Sequence, residues 1–156
     1  MDYRKFRFAK QLRNYDCVPN TIINLLKFGG TSLSYKIGYK VLYDFFNISD
    51  NHGCDPMDAH LYFKNKKLKT LALVNSLVNP SSRKLIKELG TSKVGVLLFQ
   101  TKKFAHACLV VGHDDKGFKI VNYNRRRTIQ TVSFDRFKRE VLNYKRTFVY
   151  IYERKK

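Results

Sequence analysis

Four residues of this sequence have the types and the order needed for acyl transfer through a thiol: Gln11, Cys17, His106 and Asn122. A catalytic cysteine needs help to ionise, a base to carry its proton, and donors for the oxyanion formed when sulfur attacks a carbonyl. Cys17 follows Asp16, a good helix N-cap type, and precedes Pro19, whose missing N–H costs nothing in a first helical turn. Val18, Ile22, Leu25 and Leu26 then recur at helical spacing, and Gly29-Gly30 closes the run. Cys17 therefore opens a helix, where free N–H groups and the helix dipole favour a thiolate. On this reasoning Cys17 reacts with iodoacetamide well below neutral pH. The charge of Asp16 opposes that unless it is engaged in capping.

His106 lies in the apolar run Phe104 to Val111, between Ala105 and Ala107, which leave room around its ring. Asn122 ends the run Phe118 to Asn122, joined to the first by Asp114-Asp115-Lys116-Gly117. A tight hairpin there brings the two positions together, and Asn122 would accept the imidazole N–H and set its tautomer. Asn124 competes for that role. Gln11 stands six positions before Cys17 (17 − 11), so its amide can join the Cys17 N–H as a second oxyanion donor.

These residues need elements to hold them. Helices are expected from Asp16 to Gly29, from about Ser34 to Phe46 with Ile37, Val41 and Phe45 sharing a face, and from Asp55-Pro56 to about Lys66. Leu71 to Val78 is apolar and fits either state. Ser81 or Ser82 caps a further helix that ends at Gly90. Val94 to Gln100, Phe104 to Val111, Phe118 to Asn122, Arg127 to Ser133 and Thr147 to Tyr152 read as strands, with a helix over 134–143. Helices first and mostly antiparallel strands after make an α+β domain, and 156 residues without a linker make it one domain.

Composition bounds the rest. Lys and Arg number 31 against 12 Asp and Glu, a net charge of +19, which attracts polyanions such as nucleic acid or an acidic protein. No recognisable nucleic-acid motif accompanies the charge. No run reaches the roughly 18 apolar residues of a membrane span, and the N-terminus has no apolar stretch of signal-peptide length. Three cysteines make no disulfide framework and suit a reducing, cytoplasmic setting. His52, Cys54, His60, Cys108 and His113 fit no structural zinc spacing, so no metal or other cofactor is expected. Cys108 shares a strand face with His106 by period two, either lining the site or packing beneath it.

Gln11…Asp16-Cys17-Val18-Pro19-Asn20, with Phe104-Ala105-His106-Ala107-Cys108-Leu109-Val110-Val111-Gly112 and Phe118-Lys119-Ile120-Val121-Asn122, resembles a papain-like cysteine peptidase. It is most similar to the bacteriocin-processing, double-glycine leader peptidases, in which a glutamine precedes an Asp-Cys pair. The sixteen residues from His106 to Asn122 (122 − 106) agree with the papain-like pattern. Val18 stands where the leader peptidases usually have Gly. Asn122-Tyr123 stands where they usually have Asp-Pro, and Asn is the papain choice. The resemblance implies a papain-like fold over nearly the whole chain, a Cys-His-Asn triad, a peptide or isopeptide substrate and an acyl-enzyme. A second reading is a module on the same fold that binds nucleic acid or another acidic partner through its basic surface. A third is a transglutaminase-like or cell-wall amidase chemistry on the same Cys and His.

Overall fold

A computed structural model describes residues 6–66, 68–90, 92–124, 127–143 and 146–155. Three helices come first: α1 (Cys17–Phe28), α2 (Tyr35–Phe46) and α3 (Pro56–Asn65). Strand β1 (Leu71–Val78) and the short helix α4 (Ser82–Glu88) follow. Then come β2 (Lys93–Gln100), β3 (Ala105–Asp114), β4 (Gly117–Val121), β5 (Ile129–Val132), α5 (Phe134–Phe137) with a π-helical turn at Lys138–Leu142, and β6 (Thr147–Arg154). The strands form one antiparallel sheet in the order β1-β6-β2-β3-β4-β5. The ambiguous run at 71–78 is thus an edge strand paired with β6.

Local chemistry explains the boundaries. The Asp55 carboxylate accepts the Met57 N–H at 2.7 Å, and Pro56 follows at the first helical position of α3. The Ser81 hydroxyl accepts the Lys84 N–H at the start of α4. Helix α1 ends in a Schellman motif, with the Thr31 N–H on the Leu26 carbonyl and the Gly30 N–H on that of Lys27, Gly30 having φ +89°. In the β3–β4 hairpin Asp114 pairs with Gly117, and a Cβ on Gly117 would lie 2.1 Å from the Val132 carbonyl oxygen. Only glycine fits there.

The sheet is covered on both faces, because β2 and β3 send alternate side chains each way. Val96, Leu98, Ala107 and Leu109 meet Ile22, Leu25 and Phe63 from the N-terminal helices. Leu97, Phe99, Cys108 and Val110 meet Leu85, Phe137 and Val141 on the other side. Cys108 is therefore packed in the second cluster, beneath the site and not in it.

The face of α2 carrying Ile37, Val41 and Phe45 points outward, these being 63%, 60% and 66% exposed. The buried side is Gly38, Leu42 and Phe46. The reason lies at Gly38, where an added Cβ would sit 2.8 Å from Leu33 Cδ2 and 3.4 Å from Ile23 Cδ1. The small residue lets α2 approach α1 closely, and that contact sets which stripe is covered.

Candidate active site

Cys17 is the first residue of α1, so its own N–H and that of Val18 have no partner within the helix. Both point their dipoles at the sulfur, as does the N–H of Ala107 on β3, and all three favour the thiolate. Burial is the larger effect and pushes the thiol up, with the Asp16 charge adding to it. Burial thus works against the expectation of a thiol reactive well below neutral pH, which the helix start by itself favours. Asp16 does not cap α1 with its side chain. Its carboxylate instead accepts the Arg13 N–H at 3.0 Å and the Tyr43 hydroxyl, which ties the loop before Cys17 to α2.

His106 sits near the start of β3, opposite Phe99 of β2. Its Nε2 lies 2.9 Å from the backbone carbonyl of Asn122. A carbonyl only accepts, so Nε2 carries the proton and Nδ1 is left with its lone pair. Burial holds the imidazole below its ordinary pKa, opposed in part by that carbonyl. Phe99 and Phe104 present edges to the ring at centroid distances of 5.6 and 6.5 Å. Burial therefore favours the neutral form of both groups, with the imidazole proton on Nε2.

Asn122 reaches His106 through its main chain. It has φ +55°, a left-handed conformation that Asn tolerates, just past the end of β4. Its side chain faces the other way. Oδ1 accepts the Gln11 N–H at 3.0 Å, and Nδ2 donates to the Ala9 carbonyl at 2.7 Å and to Asn20 Oδ1. Asn20 and Asn24, both buried on α1, also donate to the Ala9 carbonyl. Gln11 is buried as well, but its side-chain amide donates to the carbonyls of Arg13 (2.7 Å) and Asn14 (3.4 Å). Asn122 thus touches the His106 ring through its carbonyl, while the Gln11 amide braces the loop leading to Cys17.

Cys17 and His106 line one cavity of about 140 Å3 between the start of α1, α3 and the ends of β2, β3 and β6. Its walls are mostly apolar, including Val18, Ala59, Leu98, Ala107 and Phe148. Three further ionisable groups line it that sequence reasoning did not place there: Cys54, His60 and Arg146, the last exposed just before β6. Cys54 is a second thiol, pushed up to about 12 by burial first and then by Asp58, Cys17 and Asp55. His60 bonds the Tyr150 hydroxyl through Nδ1 and packs 4.5 Å from the Phe148 ring. A single helical His on a mixed face carries no signal of this, because β6 reaches it only in the folded sheet. Among the described residues, no group of three or more His, Cys, Asp or Glu could hold a metal ion, and no helix is long and apolar enough to cross a membrane.

Compared with solved structures, the chain superimposes on the peptidase domain of Streptococcus ComA, a bifunctional ABC transporter of a quorum-sensing pathway. The TM-score is 0.63 at 14% identity, over 94% of this chain and 97% of that one. The fold is that of a papain-like double-glycine peptidase domain. It is similar also to a double-glycine motif protease from an AMS/PCAT transporter, solved with its leader peptide, at TM-score 0.60 and 12% identity over 96% of this chain and 92% of that one. No family model matches the sequence, and no curated protein matches it. The likeness lies in the fold, at low sequence identity.

Proposed function

We propose that this chain is a cysteine peptidase in which Cys17 is the nucleophile, His106 the base and Asn122 the residue that orients it. The reading is carried by one observation: a thiol at a helix start shares a cavity with an imidazole whose proton is held on Nε2. The reaction is general-base catalysis from a neutral pair. His106 Nδ1 takes the Cys17 proton as sulfur attacks the peptide carbonyl, forming the carbon–sulfur bond and an oxyanion. The Cys17 N–H stabilises that oxyanion, and the Gln11 amide joins it by leaving the Arg13 and Asn14 carbonyls. Collapse breaks the carbon–nitrogen bond, with the proton passing from His106 to the leaving amine. Water then attacks the thioester, His106 takes its proton, and the acid and free thiol are released.

The substrate in this reading is a peptide or protein. A leader peptide is the first to test, since one is bound by the AMS/PCAT protease. A peptide chloromethyl ketone should add once to the wild-type chain, on Cys17, by intact mass and peptide mapping. It should not add to Cys17→Ala, whereas Cys54→Ala and Cys108→Ala should label normally. An adduct that persists in Cys17→Ala, or none in the wild type, overturns the assignment. The reading without catalysis predicts the second of these.

A further inference from the structure

A second concavity, of about 820 Å3, shares no lining residue with the Cys17 cavity. It runs between the N-terminal segment, the end of α1 and the start of α2. The segment is held in place by Ala9, whose carbonyl accepts from Asn20, Asn24 and Asn122 and whose N–H donates to Asn24 Oδ1 at 2.7 Å. Phe8 and Gln11 are buried, which turns Arg7 and Lys10 out into the groove. Lys36 of α2 is exposed on the facing wall. Lys27, from the last turn of α1, donates to the Tyr35 hydroxyl at 2.8 Å and lies 4.0 Å from the centre of that ring. Tyr35 and Tyr39, one turn apart on α2, stack at 6.5 Å with 28° between planes, and both are half-buried. No carboxylate is among the described residues that line the groove.

Four cations, two aromatic rings and no acid in one open trough describe a particular ligand. The cations alone would suit any polyanion. Lys27 lies over one face of Tyr35, and the half-exposed surfaces that Tyr35 and Tyr39 keep are ones on which bases stack, for which an acidic peptide has no use. We propose that this groove binds single-stranded nucleic acid, with Arg7, Lys10, Lys27 and Lys36 on phosphates and Tyr35 and Tyr39 against bases. The proposal does not rest on the peptidase reading, because the two sites have separate walls.

The test is fluorescence anisotropy of a labelled oligo-dT of twelve nucleotides with the whole chain, titrated across a range of salt. Four phosphates at about 0.7 each give an expected slope of log K against log salt of about −3. Lys10→Gln with Lys36→Gln should weaken binding at least tenfold and flatten the slope by about 1.4. Lys84→Gln with Lys87→Gln makes the same charge change on exposed residues of α4 and should cost less than twofold. Tyr35→Leu should lose about tenfold at unchanged slope. Cys17→Ala should bind as the wild type does. Equal losses from the two double lysine variants would assign the binding to the +19 surface at large and overturn the groove. Displacement of the oligonucleotide by polyglutamate at equal charge concentration would overturn nucleic acid as the occupant, as would an absence of binding at low salt.

Discussion

The two concavities of this molecule are lined in opposite ways. Around Cys17 stand Val18, Ala59, Leu98, Ala107 and Phe148, and burial pushes Cys17 and His106 toward their neutral forms. In the groove stand Arg7, Lys10, Lys27 and Lys36, facing water. In the proposed reaction the first moves a proton, because burial favours an uncharged His106 and the Asn122 carbonyl sets which nitrogen holds hydrogen. The second can only attract. Arg146 also lines the cavity at its rim, whereas the groove gathers four cations out of a net charge of +19. The two are joined by one chain of contacts. Tyr39, on the groove wall, accepts from Asn20 at 2.9 Å, Asn20 accepts from Asn122, and the Asn122 carbonyl holds His106.

The sharpest way to break this contrast is to remove the proton-transfer pair. Cys17→Ala or His106→Ala should lower kcat/KM by about 10⁴-fold or more while leaving oligonucleotide binding intact. Parallel peptide-cleavage and anisotropy assays would read both. Asn122→Gly comes next. Glycine tolerates the left-handed backbone and keeps the carbonyl on His106, but it deletes the side-chain bonds to Gln11, Ala9 and Asn20. Stability should fall by about 2–4 kcal/mol in denaturant melts, with kcat reduced no more than about tenfold. A thousand-fold loss of kcat in a folded variant would instead give the orienting role to the side chain.

The acid limb of the activity profile should follow from His106. Its folded pKa is lowered, so the ring stays neutral and able to accept a proton below the ordinary 6.5. The limb of kcat/KM should therefore lie on the acid side of 6.5. The same shift has a stability counterpart: the unfolded chain binds the proton more readily, so stability is lost as pH falls below about 6.5. Phe104 is exposed and shields one side of the ring. Phe104→Ala should let water in and move the limb back toward 6.5. The smallest effect concerns the thiols: at neutral pH neither Cys17 nor Cys54 should show thiolate absorbance in the ultraviolet, and it should appear only on the alkaline side. A thiolate signal at neutral pH would replace the neutral pair with a preformed ion pair.

Much of the fold was legible because it is written in short-range chemistry. Asp55-Pro56, Ser81, Gly29-Gly30 and Asp114 to Gly117 each satisfy or release backbone groups within a few residues, and they mark element ends whatever surrounds them. That Cys17 and His106 line one cavity agrees with what residue types and intervals led one to expect. The exposed stripe of α2 was not legible, because Ile37, Val41 and Phe45 make as good an apolar face as the one that is buried. The entry of Cys54 and His60 into the cavity was not, because α3 is placed against β6 by the sheet as a whole.

By itself, then, the sequence determined where most helices and turns begin and end, the order of the chemical groups along them, and the excess of positive charge. Tertiary structure alone decided how those groups behave. It set Cys17 and His106 in the wall of one partly buried cavity, where desolvation opposes the helix start. It turned Asn122 so that a carbonyl, which no side-chain identity specifies, holds the base. It gathered Arg7, Lys10, Lys27 and Lys36 from three segments onto one trough. Caps and turns are local and survive any context. Dielectric surroundings and the meeting of distant groups depend on every element that packs around them.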